Sequence, residues 1–174
     1  MDDDIAARVA RVEADVAIRG LAARYAQAVD ARDLDAHVAL FVPDVRAGRD
    51  AAPGRAGLRA EFARSLRGFG RSVHLIGTHV VDVDGPDAAR GVVYCRAEHE
   101  WESQWIVMAL QYVDDYERVD GTWLFRRRRP MCWWARDELD RPGGPDWMRW
   151  PGREGLRRLP EWWPSWDAFW SEEE

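Results

Sequence analysis

The chain has 174 residues, of which 47% are hydrophobic and 32% charged, and a formal net charge of −6 at pH 7. This length and balance fit one globular domain with a substantial core and exclude a disordered chain. The acidic excess argues against a nucleic-acid partner, because phosphate binding needs a basic face.

Residues 5–31 contain few helix breakers, and Val9, Val12, Val16, Leu21, Tyr25 and Val29 recur at helix-like intervals. Ala22, Ala26 and Asp30 follow at i, i+4 and i+8, a line of small residues ending in a carboxylate. The acidic start MDDDIAARVARVEAD lacks the basic end and apolar run of a signal peptide. No stretch approaches the ~18 apolar residues of a membrane span, so a cytoplasmic setting away from membranes is expected. Asp33 is placed to cap a second short helix over residues 34–41, where His37 is expected at the surface. Residues 44–57 read as a Gly/Pro/Arg-rich loop, and residues 58–66 as a third helix closed by Gly68 and Gly70.

From residue 72 onward the pattern is that of strands. Residues 73–83 are β-branched and end at the turn Asp84-Gly85-Pro86. A bulge at Gly77 sets His74 and Ile76 on one face with His79, Val81 and Val83; without it, His74 and His79 point to opposite sides. In the next strand Ala89, Gly91, Val93, Cys95, Ala97, His99 and Trp101 form one face, with charged residues opposite. His99 is therefore expected inside, where a polar group needs a partner. Residues 105–119 and 122–134 form two long strands joined through Asp120-Gly121. Alternation puts Arg126 and Arg128 on one face and Arg127 and Arg129 on the other.

Two cysteines, Cys95 and Cys132, rule out a disulfide framework. They read as reduced thiols in a β-rich core, with a single bridge left open. Beyond residue 134 the periodicity fades into RPGGPDWMRWPGREG, with a short helix expected near Ser165. Eight of the eleven tryptophans lie past residue 130, which predicts a tail that docks as a lid or across a subunit interface. Helices first and an antiparallel sheet after make the class α+β, with the tail as an appendage.

Proton abstraction needs a base near neutral pH, and a carboxylate on the far ring nitrogen of a histidine fixes its tautomer. Asp30 and His74 have the residue types for such a pair, although each also fits a plain role at a helix end or a strand edge. Arg128 fits either an inward cation or a solvated partner of Glu98 or Glu100. Tyr25 fits a core aromatic or a proton donor, and His79 packs or meets solvent. A metal site from His74, His79 and His99 lacks the usual ligand spacing, and no metal is expected. No GxGxxG fingerprint, phosphate loop or nucleophile elbow occurs.

The order of RYAQAVDARDLDAHVALFVPDV, SVHLIGTHVVDVDG and YVDDYERVDGTWLFRRRR resembles the SnoaL-like branch of the nuclear transport factor 2-like superfamily, over about residues 10–135. The resemblance extends to its scytalone dehydratases, hexachlorocyclohexane dehydrochlorinases and bile-acid 7-alpha-dehydratases. It implies a cone-shaped α+β barrel over residues 1–136, with residues 137–174 as an extension. It further implies an Asp30–His74 dyad, His99 as a second acid–base group, Arg128 as a cavity arginine and Tyr25 as a helper. The implied activity is a cofactor-independent lyase, with dehydration preferred, or an isomerase, on a hydrophobic cyclic molecule of polyketide, steroid or terpenoid type. A SnoaL-type cyclase and a non-catalytic binding or assembly subunit are the alternatives. A homo-oligomer is implied, with a trimer favoured over a dimer.

Overall fold

In the computed structural model, which describes residues 2–48 and 52–138, helix α1 spans Asp2–Asp30. Ala14, Ile18, Leu21, Ala22, Tyr25 and Val29 recur at helical spacing and belong to the buried core. Ile5, Val9, Val12 and Val16 form a second apolar row that stays between 50% and 65% exposed. The expected single stripe is thus two. Five residues separate Val16 from Leu21, a turn of about 140° around a 3.6-residue helix, so the rows cannot share a face.

α1 ends in a Schellman arrangement, with Arg32 N–H on the Val29 carbonyl (3.1 Å) and Asp33 N–H on that of Ala28 (2.9 Å). Arg32 has φ 60°, a left-handed conformation that costs a non-glycine residue about 1 kcal/mol. Its guanidinium offsets this by donating to the Val29 carbonyl (2.8 Å), the Gly70 carbonyl and Ser72 Oγ (2.9 Å). The helix end is thereby tied to the start of the sheet.

Asp33 caps α2 (Leu34–Ala39) as expected, its Oδ1 accepting from Ala36 N–H at 2.9 Å. Helix α3 (Gly54–Leu66) starts earlier than the expected residue 58. Gly54 supplies φ +79°, and a Cβ on Gly57 would fall 1.7 Å from the Ala52 carbonyl oxygen. These glycines are required by the close approach of the chain at the helix start, although by composition they read as loop.

Four antiparallel strands follow in the order β1 (Ser72–Val83), β2 (Ala88–Trp101), β3 (Gln104–Val119) and β4 (Thr122–Asp137). Asp120 (φ 49°) and Gly121 (φ 80°) make the tight β3–β4 turn that the Asp-Gly pair predicts. The β1–β2 register shifts between Ile76 and His79, so the bulge at Gly77 forms and His74, Ile76 and His79 lie on one face. Strand β4 carries two extra residues. Phe125 pairs with Tyr116 and Arg127 with Asp115, leaving Arg126 over; Cys132 pairs with Leu110 and Trp134 with Ala109, leaving Trp133 over. Phe41 bridges to Phe125 in parallel, with Phe125 N–H on the Leu40 carbonyl (2.8 Å), which holds the segment after α2 against β4.

The helices cover one face of the sheet, and the core lies between them. Cys95 and Cys132 are both free and buried; Leu110 of β3 pairs with each, so a whole strand separates them. Among the described residues no helix is long and apolar enough to cross a membrane. The tryptophan-rich tail and its expected helix near Ser165 lie outside the described residues.

Candidate active site

Between helices and sheet lies a cavity of about 530 Å³, walled by Tyr25, Val29, Phe41, Leu58, Phe62, Phe69, Leu110 and Tyr112. His74, His99 and Arg128 add the polar groups to this aromatic lining. A few polar groups in an apolar wall is the usual make-up of a small-molecule site.

Asp30 occupies the last position of α1, and β1 runs past it. Its Oδ1 lies 2.6 Å from His74 Nδ1, and its Oδ2 accepts the His74 backbone N–H at 2.9 Å. The His74 side chain is 6% exposed and that of Asp30 26%. The carboxylate stands behind the ring, while His74 faces the cavity. A proton shared with Asp30 occupies Nδ1, which leaves Nε2 as the ring nitrogen with a free lone pair.

His99 is buried on the inner face of β2, as alternation predicts. Its Nδ1 lies 3.1 Å from Ser72 Oγ, and its ring stacks on Phe69 at 4.8 Å. The His74 and His99 rings meet edge to face at 5.4 Å. They are neighbours on adjacent strands rather than facing each other across the cavity. His79 does not join them: its Nε2 contacts Tyr116 Oη at 3.0 Å, and burial lowers its pKa to about 4 despite the nearby Asp114 charge.

Arg128 is the arginine that enters. Its side chain is 3% exposed and forms a two-pronged pair with the fully buried Asp114, Nε to Oδ1 at 3.0 Å and Nη2 to Oδ2 at 2.7 Å. The guanidinium carbon lies 4.3, 4.1 and 4.3 Å from the ring centres of Tyr25, Tyr112 and Phe125. Burial opposes its charge, but Asp114 outweighs that and holds the pKa above the ordinary value. Nη1 is buried with no hydrogen-bond partner among the described residues. Tyr116 Oη donates to Asp114 Oδ2 at 2.9 Å, so His79, Tyr116, Asp114 and Arg128 form one continuous chain.

Three expectations are corrected here. Arg126 does not share the face of Arg128, because it is the extra residue of the β4 bulge and pairs outside with Asp44. Glu98 and Glu100 pair with Arg96 and Arg71, not with the arginine run. His37 is also not at the surface. It is 1% exposed and tilted against Phe62 with ring centres 3.9 Å apart; among the described residues neither ring nitrogen has a partner, and burial and then the Arg128 charge lower its pKa to about 4. The aromatic cluster around Tyr25 takes it in.

Tyr25 is buried among these rings, and burial pushes its hydroxyl up to about 12. It remains protonated at neutral pH. Asp114, Tyr116, Tyr112, Ser72 and Arg32 were not singled out from the sequence. The alternation Leu110, Tyr112, Asp114, Tyr116 was available to place an acid on the inner face of β3.

Solved structures share this fold. A candidate scytalone dehydratase from Novosphingobium aromaticivorans is 22% identical, with a TM-score of 0.66 over 77% of this chain and 93% of its own. A hexachlorocyclohexane dehydrochlorinase from Novosphingobium barchaimii is 18% identical, with a TM-score of 0.69 over 79% of this chain and 99% of its own. A Mycobacterium tuberculosis protein of unknown function is 24% identical, with a TM-score of 0.61 over 70% and 73%. Among curated proteins none matches the chain significantly. The SnoaL-like domain profile matches residues 10–129, well over half of the sequence. With that match, and with helices packed on a four-stranded antiparallel sheet in the nuclear transport factor 2-like manner, the chain belongs to the SnoaL-like family.

Proposed function

We propose that the protein is a lyase, with dehydration as the favoured reaction, that removes a proton from a hydrophobic cyclic small molecule. The observation that carries this reading is the Asp30–His74 contact of 2.6 Å at the wall of an aromatic cavity. A binding protein has no need for a carboxylate that holds both the ring and the backbone of a cavity histidine. The same fold is found in proteins described as a candidate scytalone dehydratase and a hexachlorocyclohexane dehydrochlorinase, which is consistent with elimination chemistry.

In the proposed step His74 Nε2 takes a proton from carbon, and the C–H electron pair becomes the new C=C bond. The C–O bond on the adjacent carbon breaks, and the oxygen leaves with its pair, accepting a proton from His99 or Tyr25 and a hydrogen bond from Arg128 Nη1. Asp30 stabilises the imidazolium that forms and keeps the proton on Nδ1. Arg128 meets the departing charge in a site from which water is largely excluded. The same proton removal with return of the proton elsewhere gives an isomerase, and attack of the carbanion on an internal carbonyl gives a cyclase.

Residues 1–136 form the reacting body in this reading, with the tail from 137 serving as lid or contact in a homotrimer. Truncation after Asp137 tests that part: unchanged size and ligand affinity would remove the tail's role. The chemistry is tested without the natural substrate by incubating 2-tetralone and related cyclic ketones in D₂O. Catalysed deuterium uptake beside the carbonyl, lost in His74→Ala, is the expected result. No uptake across such ketones, or uptake that ignores His74, rejects the proton-transfer reading.

A further inference from the structure

Apart from His74, His99 and Arg128 the cavity is apolar inside, whereas its border is charged. Arg46, from the segment after α2, and Arg127 and Arg129 of β4 all line it. Arg46 and Arg127 also line an adjoining surface depression, so they stand where the cavity meets solvent. Both are exposed, and neither forms an ion pair among the described residues. Among the described residues Arg129 has a long 3.9 Å contact to Asp115, and its Nε is buried without a hydrogen-bond partner there.

Two of the acids nearby are committed elsewhere, and the third, Asp115, which lines the same depression, meets Arg129 only at 3.9 Å. Asp44 is bound by Arg126, whose hydrogen bond, and then the charges of Arg126 and Arg46, hold the carboxyl below its ordinary range. Asp114 is consumed by Arg128 deeper in the wall. In a chain of net charge −6, three arginines at one opening outnumber the one loosely held acid beside them, Asp115, and make a local positive field.

We propose that this border binds an oxyanion, a carboxylate or phosphate, carried by the substrate whose hydrophobic ring fills the cavity. This rests on the reading of the cavity as a small-molecule site and narrows its ligand to amphipathic acids. The ring inserts between Tyr25, Phe62 and Tyr112, and the acid group stays at the mouth on Arg46 and Arg127. Guanidinium groups suit this role because they meet carboxylate or phosphate oxygens with two parallel donors. The charge also draws such ligands toward the opening from solution.

The test compares 2-naphthoate with its neutral methyl ester, each displacing the fluorescent probe N-phenyl-1-naphthylamine from the full-length protein. The acid should bind about tenfold more tightly than the ester, as two partly exposed charge contacts provide. That preference should shrink in 0.5 M salt, taken as roughly a 4 Å screening length. In Arg46→Gln/Arg127→Gln it should vanish while the ester binds as before. Both positions are exposed, so folding is expected to persist, and circular dichroism checks it. Displacement by 2-naphthyl phosphate shows which oxyanion gains more. An ester that binds as tightly as the acid, or a preference that survives in the double variant, overturns the proposal. His74→Ala should keep the acid preference, so a failure here and a failure of proton transfer are read separately.

Discussion

Asp30 holds His74 at two points, with one carboxylate oxygen on the ring and the other on the backbone N–H of the same residue. Ring orientation and strand position are therefore set by a single side chain. The carboxylate also has no spare oxygen to give up.

This makes Asp30→Asn informative. A carboxamide has one acceptor, and the backbone N–H of His74 claims it. The amide nitrogen then faces Nδ1, which must become the acceptor, and the ring proton moves to Nε2. That is the wrong tautomer for a base. Turnover or deuterium uptake should fall on the order of 10³-fold, with unfolding temperature little changed. A loss under tenfold would show that Asp30 does not set the tautomer.

Arg128 and Asp114 form a buried charge pair, and removing one partner strands the other. Asp114→Ala should lower stability by roughly 3–5 kcal/mol, measured by denaturant unfolding. Replacing both, as Asp114→Leu/Arg128→Met, should recover most of that loss while activity stays absent. Recovery of activity with stability would remove Arg128 from the chemistry.

His37 gives a pH dependence of stability. Its ordinary pKa is about 6.5, and its folded value is lowered to about 4. Between these values the unfolded chain holds a proton that the folded chain refuses. The folded state is therefore at full strength above about pH 6.5 and weakens as pH falls toward 4, by up to about 3 kcal/mol. His79, also lowered to about 4, adds in the same direction. His37→Phe keeps the ring contact with Phe62, removes two unpartnered nitrogens, and should make the acid limb shallower, leaving the His79 share, while raising stability at pH 7 by about 1 kcal/mol. Urea midpoints from pH 4 to 8 provide the measurement, and an unchanged slope would count against the buried neutral ring.

Arg32 gives the last test. Arg32→Ala keeps the left-handed strain at the end of α1 and deletes the bonds to Gly70 and Ser72, so about 2 kcal/mol of stability should be lost. Because Ser72 Oγ also meets His99, the pH profile of turnover should shift as well. A purely structural role would lower stability and leave that profile in place.

Much of the candidate site was legible because its residues obey local rules. Asp30 ends a helix, His74 begins a strand and His99 follows a clean alternation, and the structure brings all three together at one cavity. What escaped the sequence depends on irregular steps or on tertiary pairing. The bulge at Arg126 breaks the count that grouped it with Arg128. The slip between Val16 and Leu21 splits one apparent stripe in two. His37 looked like a surface residue on a short amphipathic helix, and only the aromatic cluster of Phe62, Tyr25 and Phe41 shows why it is inside. Asp114 lay in an alternating strand but had no visible partner until β4 was set beside β3.

The extra residue in β4 also bears on error tolerance. If the bulge at Arg126 failed to form, the strand would slide by one, and Arg127 instead of Arg128 would lie across from Asp114. The same slide would bring Met131 to Leu110 in place of Cys132, a change that the second irregularity at Trp133 could absorb before Trp134. Four consecutive arginines thus form a redundant alphabet at this position, since neighbouring registers spell the same charge opposite the same acid. A strand that misaligns during folding still neutralises Asp114, and the cost of the mistake falls on side-chain fit rather than on a stranded buried carboxylate.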